Sequence, residues 1–174
     1  FKIAFSGCAD QACGLVTIHD LGFIARTREV DGVIERGFET YVGGGLGAVP
    51  YTAKLYEEFL PESELLPLSL AVCRVFTLHG EKRNRARARL KFVVKKLGLD
   101  GLREAIKSER CKLNEDPRWT AYLGDVARHI EEPLKPASSL VRSSNNGSSA
   151  FEEWRRSNTR PQKQAGYSTV TISC

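Results

Sequence analysis

The sequence predicts an α+β fold: a mostly antiparallel sheet covered by helices, then a linker and the opening strand of another domain. Three observations predict it. An Asp-Gly pair separates two strand-like runs near the amino end, apolar residues recur at helical spacing from Pro67 onward, and a Pro- and Ser-rich stretch precedes a last β-rich run.

Residues 1–6 alternate as a strand does, with Phe1, Ile3 and Phe5 on one face and Lys2, Ala4 and Ser6 on the other. Two longer strands, 21–27 and 33–42, flank Glu29-Val30-Asp31-Gly32, whose Asp-Gly pair marks a hairpin turn. The second runs into Gly43-Gly44-Gly45-Leu46-Gly47, where missing side chains allow positive φ and close approach of backbone to a ligand. Residues 51–59 read as a short helix between Pro50 and Pro61. A longer helix is expected over 67–79, because Leu68, Ala71, Val72, Val75 and Phe76 repeat at helical spacing and Gly80 comes next as a cap. Only Ser69, Arg74 and Thr77 interrupt its apolar residues, so it is expected to be largely buried.

Residues 80–96 carry eight basic residues and one acidic residue, a segment charge of +7 against +5 for the whole chain. Read as a helix over 83–97, the segment places Ala86, Leu90, Val93, Val94 and Leu97 on one face. Arg83 and Arg89 border that face from opposite sides, while Lys91 and Lys95 point to solvent. Bordering arginines can reach a partly buried anion, and a planar guanidinium suits carboxylate or phosphate forks. Beyond it, 119–130 reads as a helix and 133–149 as a flexible connection, before a strand from Tyr167.

With 174 residues, 41% of them hydrophobic and 27% charged, the chain can bury one or two cores. It has no apolar run of membrane-spanning length. Five cysteines, an odd number without regular spacing, argue for a reducing compartment and against a secreted disulfide framework. Cys8 and Cys13, spaced C-x4-C, read either as two ligands of a metal site or as small buried thiols. The chain begins at Phe1, contains no Met and ends in strand-like residues, and is expected to be an internal piece of a longer polypeptide. A pI near 9.0 is compatible with nucleic acid, but the basic run lacks interleaved aromatics apart from Phe92. The glycine run does not fit a dinucleotide fingerprint.

Four motifs then recur in a telling order: Phe1-Lys2-Ile3-Ala4, Ile18-His19-Asp20-Leu21-Gly22-Phe23, Tyr41-Val42-Gly43-Gly44-Gly45-Leu46-Gly47, and His79-Gly80 through Arg89-Leu90-Lys91-Phe92. Together they resemble the assimilatory nitrite and sulfite reductase family, whose members use sirohaem coupled to a 4Fe-4S cluster. The resemblance covers about residues 1–108, a sirohaem-side half domain; 109–160 would be a linker with a helix. Phe151-Glu152-Glu153-Trp154 and Arg160-Pro161-Gln162-Lys163-Gln164 look like the entry to a second, ferredoxin-like half domain, beginning at about 161.

The resemblance implies an oxidoreductase carrying out a six-electron reduction of sulfite to sulfide or nitrite to ammonia, in the cytoplasm, with ferredoxin or a flavoprotein as donor. No membrane or nucleic-acid partner is implied. Sirohaem is fringed with carboxylates, and Arg89 matches a basic family position that contacts one of them. Arg83 lies in the same cationic segment, Arg85 matches another basic family position, and Gly43, Gly44 and Gly45 form the expected cofactor-side loop. Lys2 matches an active-site lysine able to bind the anionic substrate and supply protons, and its family companion would lie before Phe1. The family's cluster cysteines, C-x5-C and C-x3-C, fall later in the full protein, so no metal ligand is assigned here and the piece is not expected to be active alone. From residue types alone other readings stay open. Lys2 is also an ordinary strand-edge lysine, His19-Asp20 a turn whose aspartate caps local amides, and the glycines a loop needing positive φ. A noncatalytic anion or nucleic-acid binding module is the alternative of another class.

Overall fold

The computed structural model describes residues 1–8, 14–129, 132–133, 135–136, 148–162 and 164–172. Cys13, Cys174 and most of the expected flexible connection lie outside these residues. The chain divides into two compact units, Phe1–Gly124 and Asp125–Cys174.

The first unit is built on a four-stranded sheet in the order β1 (Ile3–Ser6), β2 (Leu21–Val30), β3 (Val33–Val42), β4 (Lys54–Pro61). β1 runs parallel to β2, and the other pairs are antiparallel. The hairpin forms where the Asp-Gly pair predicts it. Val30 pairs with Val33, and the two loop residues Asp31 and Gly32 have φ of 51° and 77°, as a turn matched to strand twist requires.

Pairing register sorts the side chains between the two faces. Leu21 and Phe23 on β2, Val42 and Thr40 on β3, and Ile3 and Phe5 on β1 share one face. Against that face pack α1 (Leu65–His79), through Leu68, Ala71, Val72 and Val75, and α2 (Leu90–Cys111), through Leu90, Val93, Leu102 and Ile106. Each such side chain taken fully from water contributes roughly 1.5–3 kcal/mol. Phe5 stacks on Phe23 with ring centroids 5.1 Å apart, extending the core to the edge strand. The α+β class holds.

Four expectations are corrected. Residues 51–59 are not a helix: 54–61 form β4, hydrogen-bonded along β3, because β3 would otherwise leave a row of amides and carbonyls without partners. Tyr56 and Leu60, four residues apart, satisfy a helical and a strand period alike. α1 is buried on one face only, with Leu66, Leu70 and Leu78 exposed. The basic segment does not form a helix from 83; α2 begins at Leu90, breaks at Gly98 (φ 72°) and continues to Cys111. Finally, 118–129 form a four-residue α3 (Arg118–Ala121) and a 3-10 segment (Tyr122–His129), shorter and tighter than the expected helix.

In the second unit, α4 (Ser149–Asn158) is capped by Ser148, whose hydroxyl accepts the Phe151 N–H. It leads into an antiparallel pair of β5 (Thr159–Pro161) and β6 (Ser168–Val170), the latter falling within the strand read from Tyr167.

Candidate functional site

The basic segment avoids a helix because short polar side chains take its amides first. One Glu81 carboxylate oxygen accepts the N–H groups of Arg83 (2.7 Å) and Asn84 (3.2 Å), and Asn84 accepts that of Ala86 (3.0 Å). Those backbone donors hold the Glu81 carboxyl below the usual carboxylate range. A single 3-10 turn, Arg85–Arg87, comes next on the protein surface. An extended Arg89 (φ −139°) then leads into α2.

That last junction is made by a residue far away in sequence. Asp20, fully buried, accepts the backbone N–H of Leu90 (3.2 Å) and the Nε–H of Arg89 (3.0 Å) on one oxygen. Its other oxygen accepts the backbone N–H of Lys2 at 2.9 Å. A carboxylate at a helix start is the stabilising charge for that end, and here it comes from the residue just before β2. The Asp20 cap is therefore not the local one expected.

Arg83, Arg85 and Arg89 come together on one open cleft of about 1350 Å³. Lys82, Arg87, Lys95 and Lys96 add positive charge, while Leu46, Val49, Tyr51 and Phe92 supply an apolar wall. Among the described residues no acidic side chain pairs with Arg83 or Arg85, so their guanidinium groups are available to an anion.

Lys91 corrects an expectation. Only 4% exposed, it turns inward, and its ammonium donates to the carbonyls of Leu46 (3.0 Å) and Val49 (2.6 Å), near the faces of Tyr51 and Phe92. It ties the 46–50 loop over the first turn of α2.

Gly43, Gly44 and Gly45 do not line the cleft; they permit its walls to close. Gly43 has φ 80°, and Gly45, paired with Tyr51, lies where a Cβ would come within 3.0 Å of an Arg89 nitrogen. At Gly44 a Cβ would meet the Thr17 and His19 carbonyl oxygens at 2.4 and 2.7 Å. Gly44→Ala is expected to destabilise the fold by about 1–3 kcal/mol, read as a lowered thermal midpoint, because backbone cannot give way as a side chain can.

Lys2 is exposed and lies outside the cleft lining. Its backbone is held on both sides, the N–H by Asp20 and the carbonyl by the N–H of Leu21 (3.2 Å), so the strand start is fixed while the side chain reaches solvent. The His19 ring bonds within its own turn, Nδ1 lying 2.8 Å from the Leu15 carbonyl oxygen. Cys8 is half-buried, and among the described residues no three His, Cys, Asp or Glu side chains are placed to hold a metal ion.

The sheet-and-helix unit thus displays Arg83, Arg85 and further cations around a broad open cleft, an arrangement whose chemistry suits an anion. Residues 1–114 match the model of the nitrite and sulphite reductase 4Fe-4S domain, and the chain belongs to that family. It is 36% identical over 112 residues to the ferredoxin sulfite reductase of Mycobacterium tuberculosis strain H37Rv, covering 64% of this chain and 19% of that protein. It is 33% identical over 111 residues to the assimilatory ferredoxin-dependent nitrite reductase of Haloferax mediterranei (63% and 19%). With the hemoprotein beta-component of the NADPH sulfite reductase of Methylobacterium radiotolerans it shares 32% over 118 residues (64% and 19%). The solved structure of the Mycobacterium tuberculosis NirA protein aligns at 35% identity with a TM-score of 0.49, over 55% of this chain and 17% of that one. The chain thus spans 19% of the length of these curated relatives.

Proposed function

We propose that this chain forms the sirohaem-side half domain of a reductase that converts sulfite to sulfide or nitrite to ammonia by a six-electron reduction. The family match over residues 1–114 carries the reading. Relatives named as ferredoxin and NADPH enzymes for sulfite, and a ferredoxin enzyme for nitrite, support it.

The cofactors of this reading are sirohaem and a 4Fe-4S cluster, which when bound supply an iron for the substrate and one-electron transfer to it. The residues present fit a carboxylate-fringed group, because among the described residues no acidic side chain pairs with Arg83 or Arg85, and the cations lining the cleft outnumber its one acidic residue, Glu81. Arg89, Arg83 and Arg85 would hold its carboxylates. Arg89, anchored at Nε by Asp20, presents the rest of its fork already oriented, whereas Arg83 and Arg85 adapt. Gly43, Gly44 and Gly45 serve by letting the loop lie against Arg89 and α2. Lys2 would attract the anionic substrate and hold a proton for the oxygens that leave as water. The cluster cysteines would come from elsewhere in the polypeptide, as would the rest of the second half domain proposed to open near 161. A cytoplasmic setting, with ferredoxin or a flavoprotein as electron donor, completes the proposal.

Purified full-length protein, produced with an adequate sirohaem supply, is expected to show the cofactor's visible absorption bands and to reduce sulfite or nitrite with a reduced dye. Absence of the bands would sink the reading.

A further inference from the structure

We propose that Asp20 is a positioning residue of the reductase site, its single carboxylate setting Lys2 and Arg89 in register with each other. The inference rests on the roles proposed above for those two residues, and concerns what holds them. Three segments converge on this one side chain and its backbone. Oδ2 takes the Lys2 N–H, Oδ1 takes the Arg89 Nε–H and the Leu90 N–H, and the Asp20 carbonyl takes the N–H of Gly43 at 2.8 Å. Lys2 and Arg89 are remote in sequence and lie on different elements, yet a single rigid group sets both. A carboxylate accepts only, so all three side-chain bonds can form at once. The Arg89 guanidinium, 3.0 Å from Oδ1, is the cation that faces this buried carboxylate.

The chemistry of the asparagine substitution separates this role from that of a plain helix cap. In Asp20→Asn one oxygen survives. Placed at the Oδ1 position it keeps Arg89 and Leu90, and it turns an N–H group against the Lys2 N–H, donor against donor. The opposite placement loses two bonds to keep one. Asp20→Asn therefore releases the strand start that carries Lys2, while Asp20→Ala releases both sides.

The test uses the full-length protein. For Asp20→Asn, sirohaem occupancy is expected within about twofold of wild type while kcat/KM for sulfite or nitrite falls about tenfold, since a small displacement of an aligned group suffices for that loss. Amide exchange at Lys2 accelerates and that at Leu90 stays slow. In Asp20→Ala occupancy itself falls, about tenfold, and both amides exchange fast. Equal effects of the two variants on every readout, or an Asp20→Asn protein indistinguishable from wild type, would overturn the proposal. Should Asp20→Ala fail to fold, the wild-type protein decides: slow exchange at both Lys2 and Leu90 supports the clamp, and open-chain exchange at Lys2 refutes it. That exchange readout does not require sirohaem, so a protein that binds none would refute the functional reading while still testing the clamp.

Discussion

Arg89→Glu is expected to leave the full-length protein without sirohaem bands, the largest loss of any single change in the cleft. Two effects add. The substitution removes the cation proposed to meet a cofactor carboxylate, and it places a second carboxylate 69 positions along the chain from Asp20 but in contact with it. Asp20 is fully buried and Arg89 keeps 29% of its side chain exposed, so the pair is desolvated on the acid's side only. Breaking such a pair by removing one partner costs about 3–5 kcal/mol, and reversing the charge costs no less. The cofactor-free protein should therefore also melt at lower temperature. Arg89→Lys keeps the charge but cannot both bond Asp20 through Nε and offer a planar fork outward, so it should retain part of the occupancy. The ratio of cofactor to protein absorbance measures this series. Wild-type occupancy in Arg89→Glu would remove Arg89 from the site.

The features legible in the sequence and those hidden in it divide along the range of the interactions. The β2–β3 hairpin is legible because its determinants are adjacent: Asp31 and Gly32 tolerate positive φ, and the flanking runs alternate. α1 is legible from its apolar period, although periodicity does not reveal that Leu66, Leu70 and Leu78 stay exposed. β4 is hidden because its strand character comes from β3, not from its own residues. The start of α2 is hidden for the same reason. Nothing in Arg83-Asn84-Arg85-Ala86 announces that Glu81 and Asn84 will take the first amides, or that Asp20 will supply the cap at Leu90.

The same division runs through the candidate site. Its cations stand out in the charge pattern, and three of those singled out, Arg83, Arg85 and Arg89, share a cleft. Lys91 has the same charge and the opposite role, because the 46–50 loop folds over it and offers two carbonyls that a helical projection cannot show. Asp20, which bonds Lys2, Arg89 and Leu90 at once, looks in the sequence like any aspartate before a strand. Its only local signal is the His19-Asp20 pair at the head of β2, which reads equally well as a turn.

Lys2→Ala is expected to lower kcat/KM for sulfite or nitrite by about 10²–10³-fold with sirohaem occupancy unchanged, the loss typical of removing one preorganised charge from a developing anion. The separation of the two readouts is a consequence of geometry. Both backbone bonds of Lys2, its N–H to Asp20 and its carbonyl to the Leu21 N–H, survive truncation of the side chain, so the strand start and Arg89 keep their places. The exposed Lys2 side chain lies outside the cleft that holds the arginines, so its removal subtracts no cation from that cleft. Lys2→Arg should recover part of the rate by restoring a positive charge, but not all, because a guanidinium does not release protons at neutral pH. A reduced-dye assay with both anions, run beside the absorbance ratio, measures the split. Were Lys2→Ala to reduce both anions at the wild-type rate, Lys2 would be the ordinary strand-edge lysine that its position at the start of β1 also allows.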